Sequence, residues 1–188
     1  MTQPRGQQVV DKILETANKL FYRKGYNATG INQIIEEAGI AKGSLYQHFG
    51  SKTDLLVGYI KLNHEGWFTR LQTAIENVAD PKEKLLVLFD YHTNRQEYRE
   101  YGGCPFVKAN NEAGMDDPKV LEEIKKAKLH FKAFVKTLVT NSGHKQLLTN
   151  EELTETIFWM IEGGSVAASI FKNTDDLQSA KQILQKLI

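Results

Sequence analysis

Residues Gly30 to Lys52 read GINQIIEEAGIAKGSLYQHFGSK, and two short helical patterns meet inside this stretch. Ile31, Ile34, Ile35 and Ala38 recur at three- and four-residue steps and stop at Gly39, which takes a left-handed turn at little cost. The second pattern is shorter. Its apolar members, Leu45 and Phe49, stand four apart and face inward, leaving Lys42, Ser44, Gln47 and His48 for solvent or a partner. This is a helix-turn-helix layout, in which one helix braces another that projects. Polar groups on the projecting helix suit a DNA major groove, and the same pattern also suits a helical corner with a solvated face.

Outward from this stretch the periodicity stays helical. Val10, Ile13, Leu14, Ala17, Leu20 and Phe21 form the stripe of a first helix, closed by Arg23, Lys24 and Gly25. Ser51 and Asp54 form a capping-box pattern that opens a long helix to about Asn77, and Asp80-Pro81 starts another to about Glu100. A Gly-Gly-Cys-Pro helix start follows Tyr101. After a break at Gly114 to Pro118 comes a helix from about Lys119 to Asn141, then one capped by Thr149 and Glu152 to about Lys172, and a last one from Asp175 or Asp176. No strand alternation is present. The fold class is all-α: a three-helix head over residues 1–55 and a helical body over residues 56–188.

Hydrophobic residues make up 41% of the 188 and charged residues 25%, values of a globular chain with a buried core. The net charge of +1 neither requires nor excludes an anionic partner. Residues 1–60 hold seven Lys and Arg against five Asp and Glu, a small excess of the right sign for DNA. One cysteine, Cys104, cannot close an internal disulfide or a cysteine zinc site, and the five histidines form no metal motif. No apolar stretch is long enough to span a bilayer and the start carries no signal-like segment, so a cytoplasmic protein without membrane association is expected. No cofactor is expected either.

From about Val9 to Leu56 the chain resembles the DNA-binding head of the TetR family of one-component bacterial regulators. The residues that carry the likeness are Leu20-Phe21, Gly25-Tyr26, Ala28-Thr29, Ile31, Ile34, Ala38-Gly39-Ile40, Lys42-Gly43, Leu45-Tyr46, His48-Phe49 and Ser51-Lys52. Two positions depart from the family pattern. Ile35 stands where a small Ala is usual, and Ala41 where Ser or Thr usually caps the recognition helix, a loss of roughly 1 kcal/mol. The resemblance implies that Thr29, Tyr46, His48 and Lys52 hold phosphates, while Lys42, Ser44 and Gln47, with Gly43 between them, lie nearest the base edges. The chemistry suits those roles: an ammonium neutralises phosphate, and an amide can bond adenine at two points. Tyr46 also has a packing role open to it, against the first helix. One short helix reads few base pairs, so a homodimer on palindromic double-stranded DNA is implied.

The body is where the resemblance is loosest; there it implies a ligand and dimerisation domain built on the last two helices. In WMIEGGSVAAS, the residues Gly163, Gly164, Ala167 and Ala168 give a small-residue surface, suited to a dimer contact or to packing within one subunit. Trp67, Phe68, Phe89, His92, Phe106, Asn110, Phe131, Phe134 and Trp159 are candidates to line a small-molecule pocket, with ordinary core as the other reading. YGGCPFVKANNE, Tyr101 to Glu112, resembles a segment of a family branch that includes sensors of electrophiles or oxidants. Pro105 suits a first helical turn and sets Cys104 at a helix start, so Cys104 is either a sensing thiol that joins the ligand site or a small buried hydrophobe. The implied function is a regulator, chiefly a repressor, released from its operator by a small molecule. The alternatives are a redox or electrophile sensor acting through Cys104, an adaptor that has lost DNA binding, and a helical enzyme, for which no nucleophile elbow, phosphate loop or His-Glu-x-x-His pair is present.

Overall fold

The computed structural model describes residues 5–114, 116–144 and 148–188, and among them it holds nine α-helices, one π-helical turn and no strand. The helices are α1 (Arg5–Lys24), α2 (Ile31–Ala38), α3 (Lys42–His48), α4 (Lys52–Glu76), α5 (Pro81–Tyr98), α6 (Pro105–Ala109), α7 (Pro118–Ser142), α8 (Asn150–Phe171) and α9 (Asp175–Leu187). The π turn, Asn110–Gly114, continues directly from α6. Met115, inside the break expected between helices, lies outside the described residues. Among the described residues no helix is long and apolar enough to cross a membrane.

The chain divides into two compact units. The first comprises residues 1–65 together with 105–126, and so holds more than the N-terminal residues. Here α1 packs on α2 and α3, and α2 on α3. The α1 stripe Ile13, Ala17, Leu20 and Phe21 is buried, as are Ile34 and Ala38 of α2, Leu45 of α3 and Leu55, Leu56, Tyr59 and Ile60 of α4. Gly39 takes φ +56° after α2, and its N–H returns to the last turn, so the chain reverses within three residues before α3. Asn63 on α4 donates to Asn18 on α1 and to Tyr59 O, both at 2.9 Å, which ties the long helix to the first.

The second unit comprises residues 66–104 and 127–188. Its core joins Trp67, Leu71 and Ile75 of α4, Leu85, Leu88 and Phe89 of α5, Phe131, Val135 and Val139 of α7, Leu153, Ile157 and Ile161 of α8, and Leu177 and Leu184 of α9. With Ala180 between Leu177 and Leu184 on α9, these positions recur at three- and four-residue steps on every helix, which is why the sequence forms a layered helical body. α9 packs on both α5 and α8. Lys181 of α9 donates to both oxygens of Asp90 on α5 at 2.7 Å. Thr149 caps α8 with a full reciprocal box: its hydroxyl accepts from Glu152 N–H, and the Glu152 carboxylate accepts from Thr149 N–H.

Candidate nucleic-acid interface

α3 is held by one side chain. Leu45 is fully buried, while Lys42, Gly43, Tyr46, Gln47 and His48 are exposed and Ser44 is half-buried. Tyr46 is 44% exposed, so the ring is available to a partner. Ala41 at the N-cap supplies no side-chain acceptor, and the first N–H groups of α3 are left for water or for an anion. The face can therefore present an amide, a hydroxyl, an imidazole, a phenol and an ammonium outward together.

Two residues implied as phosphate holders sit differently. Thr29 is fully buried, and its hydroxyl donates to Gly25 O at 2.7 Å, so that proton closes the turn between α1 and α2. Lys52, the first residue of α4, places its ammonium 4.1 Å from the centre of the Tyr26 ring. Partial burial holds its pKa below the ordinary lysine value, with the Glu112 carboxylate acting in the opposite direction. Next to it, Ser51 Oγ accepts from Asp54 N–H at 3.0 Å and donates to the Asp54 carboxylate at 2.7 Å. That cap fixes where α4 begins, and with it the position of Lys52.

The candidate ligand residues divide. Trp67, His92 and Phe131 share one aromatic cluster in the second unit, with ring centres 5.1 Å apart for Trp67 and Phe131, 5.7 Å for His92 and Phe131, and 6.0 Å for Trp67 and His92. Phe89 is fully buried in the same core, and Phe134 packs edge-on to Phe68 at 5.0 Å. His92 Nε2 is buried and has no hydrogen-bond partner among the described residues. Burial, with Arg95 and Lys128 nearby, pushes its pKa down to about 3, so the imidazole is neutral. Cys104 lies in this unit too: Lys128 Nζ is 3.6 Å from its sulfur and also holds Glu162 at 2.5 and 2.6 Å. Burial works against the Lys128 charge, yet the neighbouring sulfur and carboxylate hold its pKa above the ordinary value. Phe106, buried on α6, and Asn110, at the start of the π turn, belong to the first unit. Trp159 points outward, 64% exposed. A surface groove of about 310 Å³ in the second unit, lined by Leu129, Lys132, Lys136, Glu151 and Glu155 among others, contains none of these candidates.

The small residues of α8 also divide. A Cβ on Gly164 would stand 2.6 Å from Leu177 Cδ2, so this glycine and the buried Ala168 serve the packing of the subunit itself. Gly163 has open space around it and Ala167 is half-buried. Around Gly163, α8 exposes Trp159, Val166, Ile170 and Phe171, and α9 exposes Ile183. Two residues that no local pattern marks also reach the head. Lys108 of α6 donates to Tyr22 O at 3.1 Å, and the Glu112 carboxylate accepts from Asn27 N–H at 2.7 Å.

Residues 13–58 match the family described as "Bacterial regulatory proteins, tetR family". The chain is 31% identical over 177 residues to the uncharacterized HTH-type transcriptional regulator YxaF of Bacillus subtilis, covering 92% of each chain. It is 27% identical over 180 residues to the HTH-type transcriptional regulator LmrA of the same organism, covering 95% of each. A solved transcriptional regulator from Cytophaga hutchinsonii superposes with a TM-score of 0.88 over 100% of this chain and 98% of that one, at 18% identity, a likeness of fold.

Proposed function

Because the chain belongs to the tetR family of bacterial regulatory proteins and is a DNA-binding transcriptional regulator, we propose that it works in the cytoplasm as a homodimeric repressor, released from a palindromic operator by a small molecule. The observation that carries this reading is α3 itself: one buried leucine, and a face of Lys42, Ser44, Tyr46, Gln47 and His48 turned outward. In this reading Gln47, Lys42 and Ser44 read base edges, while His48, Tyr46 and Lys52 hold phosphates and set the register. A second copy covers the apolar strip of Trp159, Val166, Ile170, Phe171 and Ile183, which is the kind of exposed patch that marks an interface. Gly163 and Ala167 lie on this strip and let the copies approach closely.

The ligand enters the second unit at the aromatic cluster of Trp67, His92 and Phe131, where the neutral imidazole offers an orienting polar group in apolar surroundings. Its binding favours one separation of the paired heads over another, and that difference releases the operator. Selecting bound duplexes from a random pool and titrating them by fluorescence anisotropy at several salt concentrations tests the core of the reading. A palindromic consensus bound by a dimer, with affinity falling steeply as salt rises, is expected. Binding by a monomer, or no enrichment of any sequence, would refute it.

A second reading keeps the fold and moves the trigger to Cys104, favoured by the Lys128 ammonium 3.6 Å from its sulfur. Alkylation of Cys104 would then release DNA, and Cys104→Ser would stay bound in the presence of an electrophile. Retention of the operator by the fully alkylated wild type would eliminate it.

A further inference from the structure

We propose that Glu112 is a positioning residue for DNA recognition, a role that rests on reading α2 and α3 as the DNA-contacting pair. Glu112 lies 85 residues beyond the turn between α1 and α2, yet it grips that turn from two sides. Its carboxylate accepts from the Asn27 backbone N–H at 2.7 Å, and its backbone carbonyl accepts from Asn27 Nδ2 at 3.3 Å. Main chain and side chain of one turn residue are thus held by one glutamate.

The turn is shaped for this carboxylate. Gly25 takes φ +88°, a conformation costly for other residues, and a Cβ there would stand 2.6 and 2.9 Å from the two Glu112 oxygens. The space a side chain would occupy is filled by the carboxylate instead. One turn earlier on its own segment, Lys108 donates to Tyr22 O at 3.1 Å and lies 4.6 Å from the centre of the Tyr22 ring. The last turn of α1 and the turn after it are therefore both fastened to residues 108–112. Glu112 belongs to the π turn, a geometry that shifts side-chain direction relative to an α-helix and recurs at functional sites.

This corner sets the angle at which α2 leaves α1, and α2 braces α3. Charge alone argues for the opposite effect. Glu112 faces Lys52, and an acid beside a phosphate-holding lysine repels DNA. The two effects have opposite signs. Glu112 is half-buried, and its repulsion of phosphates acts across solvent, where moderate salt screens it, whereas a charge-assisted bond to a backbone N–H is among the stronger polar contacts. The positioning effect therefore prevails, and Glu112 raises affinity although it is an anion beside the DNA face.

The test uses the full-length protein and its selected duplex at fixed salt, with the amide exchange of Asn27 followed by NMR. Glu112→Ala removes both carboxylate oxygens; a rise in Kd of roughly tenfold is expected, with Asn27 N–H exchanging fast. Glu112→Gln keeps an acceptor without the charge and is expected to stay within about twofold of the wild type, or tighter, with Asn27 still protected. Asn27→Ala keeps the backbone donor and should show a smaller loss in the same direction. Tighter binding by Glu112→Ala would make Glu112 only a repelling charge. Unchanged Kd with a freely exchanging Asn27 N–H, or an equal loss in the Gln variant, would also overturn the proposal. Should Glu112→Ala lose its helical circular dichroism, Lys108→Met decides, since it loosens the same segment: a raised Kd supports the role and an unchanged one ends it. A wild type that binds no duplex in a salt-dependent way would overturn both the DNA reading and this inference, whereas normal wild-type binding beside an indifferent Glu112→Ala removes only the inference.

Discussion

Acidification should cost this protein stability through His92. The ring is enclosed by Trp67, Tyr91 and Phe131, Nε2 has no hydrogen-bond partner among the described residues, and burial with Arg95 and Lys128 pushes the pKa from 6.5 to about 3. In the unfolded chain the same imidazole binds its proton near pH ~6.5. Over the window between these values the unfolded state holds more protons than the folded state, so stability is complete above the unfolded pKa and is lost as the pH falls toward the folded one. Each pH unit inside that window corresponds to about 1.4 kcal/mol, so going from pH ~7 to pH ~4.5 removes about 2.5 kcal/mol. That is a large part of a typical stability of ~5–15 kcal/mol. Urea unfolding followed by circular dichroism, at one protein concentration and a series of pH values, measures it. Other groups that titrate in this range, including the helix-capping Glu152, are removed by comparison with His92→Phe, which keeps a ring of similar shape and carries no titrating nitrogen. The wild-type curve should fall below that of the variant by about 2.5 kcal/mol more at the acid end. Parallel curves for the two proteins would show that His92 does not bear the cost, and the account of a buried neutral imidazole would fail.

Three further outcomes are expected. Lys52→Ala should weaken binding to every duplex and flatten the log-log salt slope by about 1, while Gln47→Ala should relax base preference at a cost of ~1–3 kcal/mol; an unaltered selected-site profile would remove Gln47 as a reader. Gly164→Ala drives a Cβ into Leu177, an overpacking cost of about 1–3 kcal/mol that outweighs the ~1 kcal/mol of helix propensity gained, and a melting temperature above that of the wild type would contradict this. Thr149→Ala breaks the reciprocal cap of α8 and should cost ~1 kcal/mol; an unmoved urea midpoint would show that the box contributes nothing.

The elements that local chemistry governs were legible in the sequence. Gly39 ends α2 because the turn needs a left-handed residue, and the Ser51–Asp54 and Thr149–Glu152 pairs mark helix starts because each satisfies an otherwise unpaired N–H. The outward face of α3 follows from the position of Leu45 alone. Other features depend on what packs from far along the chain. Adjacent Gly163 and Gly164 look alike in sequence, and only the place of Leu177 makes one open and the other filled. Thr29 has a hydroxyl suited to phosphate, but the Gly25 carbonyl takes its proton first. Phe106 and Asn110 share the aromatic and polar character of Trp67 and His92, yet belong to a different unit, a division no periodicity announces. Glu112 carried no signal at all: a glutamate near a helix end is ordinary until its distant partner is known.

The interrupted course of the first unit bears on how the chain folds as it is made. Residues 1–65 emerge first, but Asn27 cannot meet Glu112 until the 85 residues that follow Asn27 have been made, and the unit also draws on residues up to 126. α1, α2 and α3 can form early from local contacts, with the Asn27 amide and the Tyr22 carbonyl still bonded to water. Closing so long a loop carries an entropic cost that only the later segment offsets. During synthesis α2 and α3 can therefore form before these bonds do, and a nascent chain stalled before residue 105 would display α3 without the bonds that Lys108 and Glu112 make to Tyr22 and Asn27.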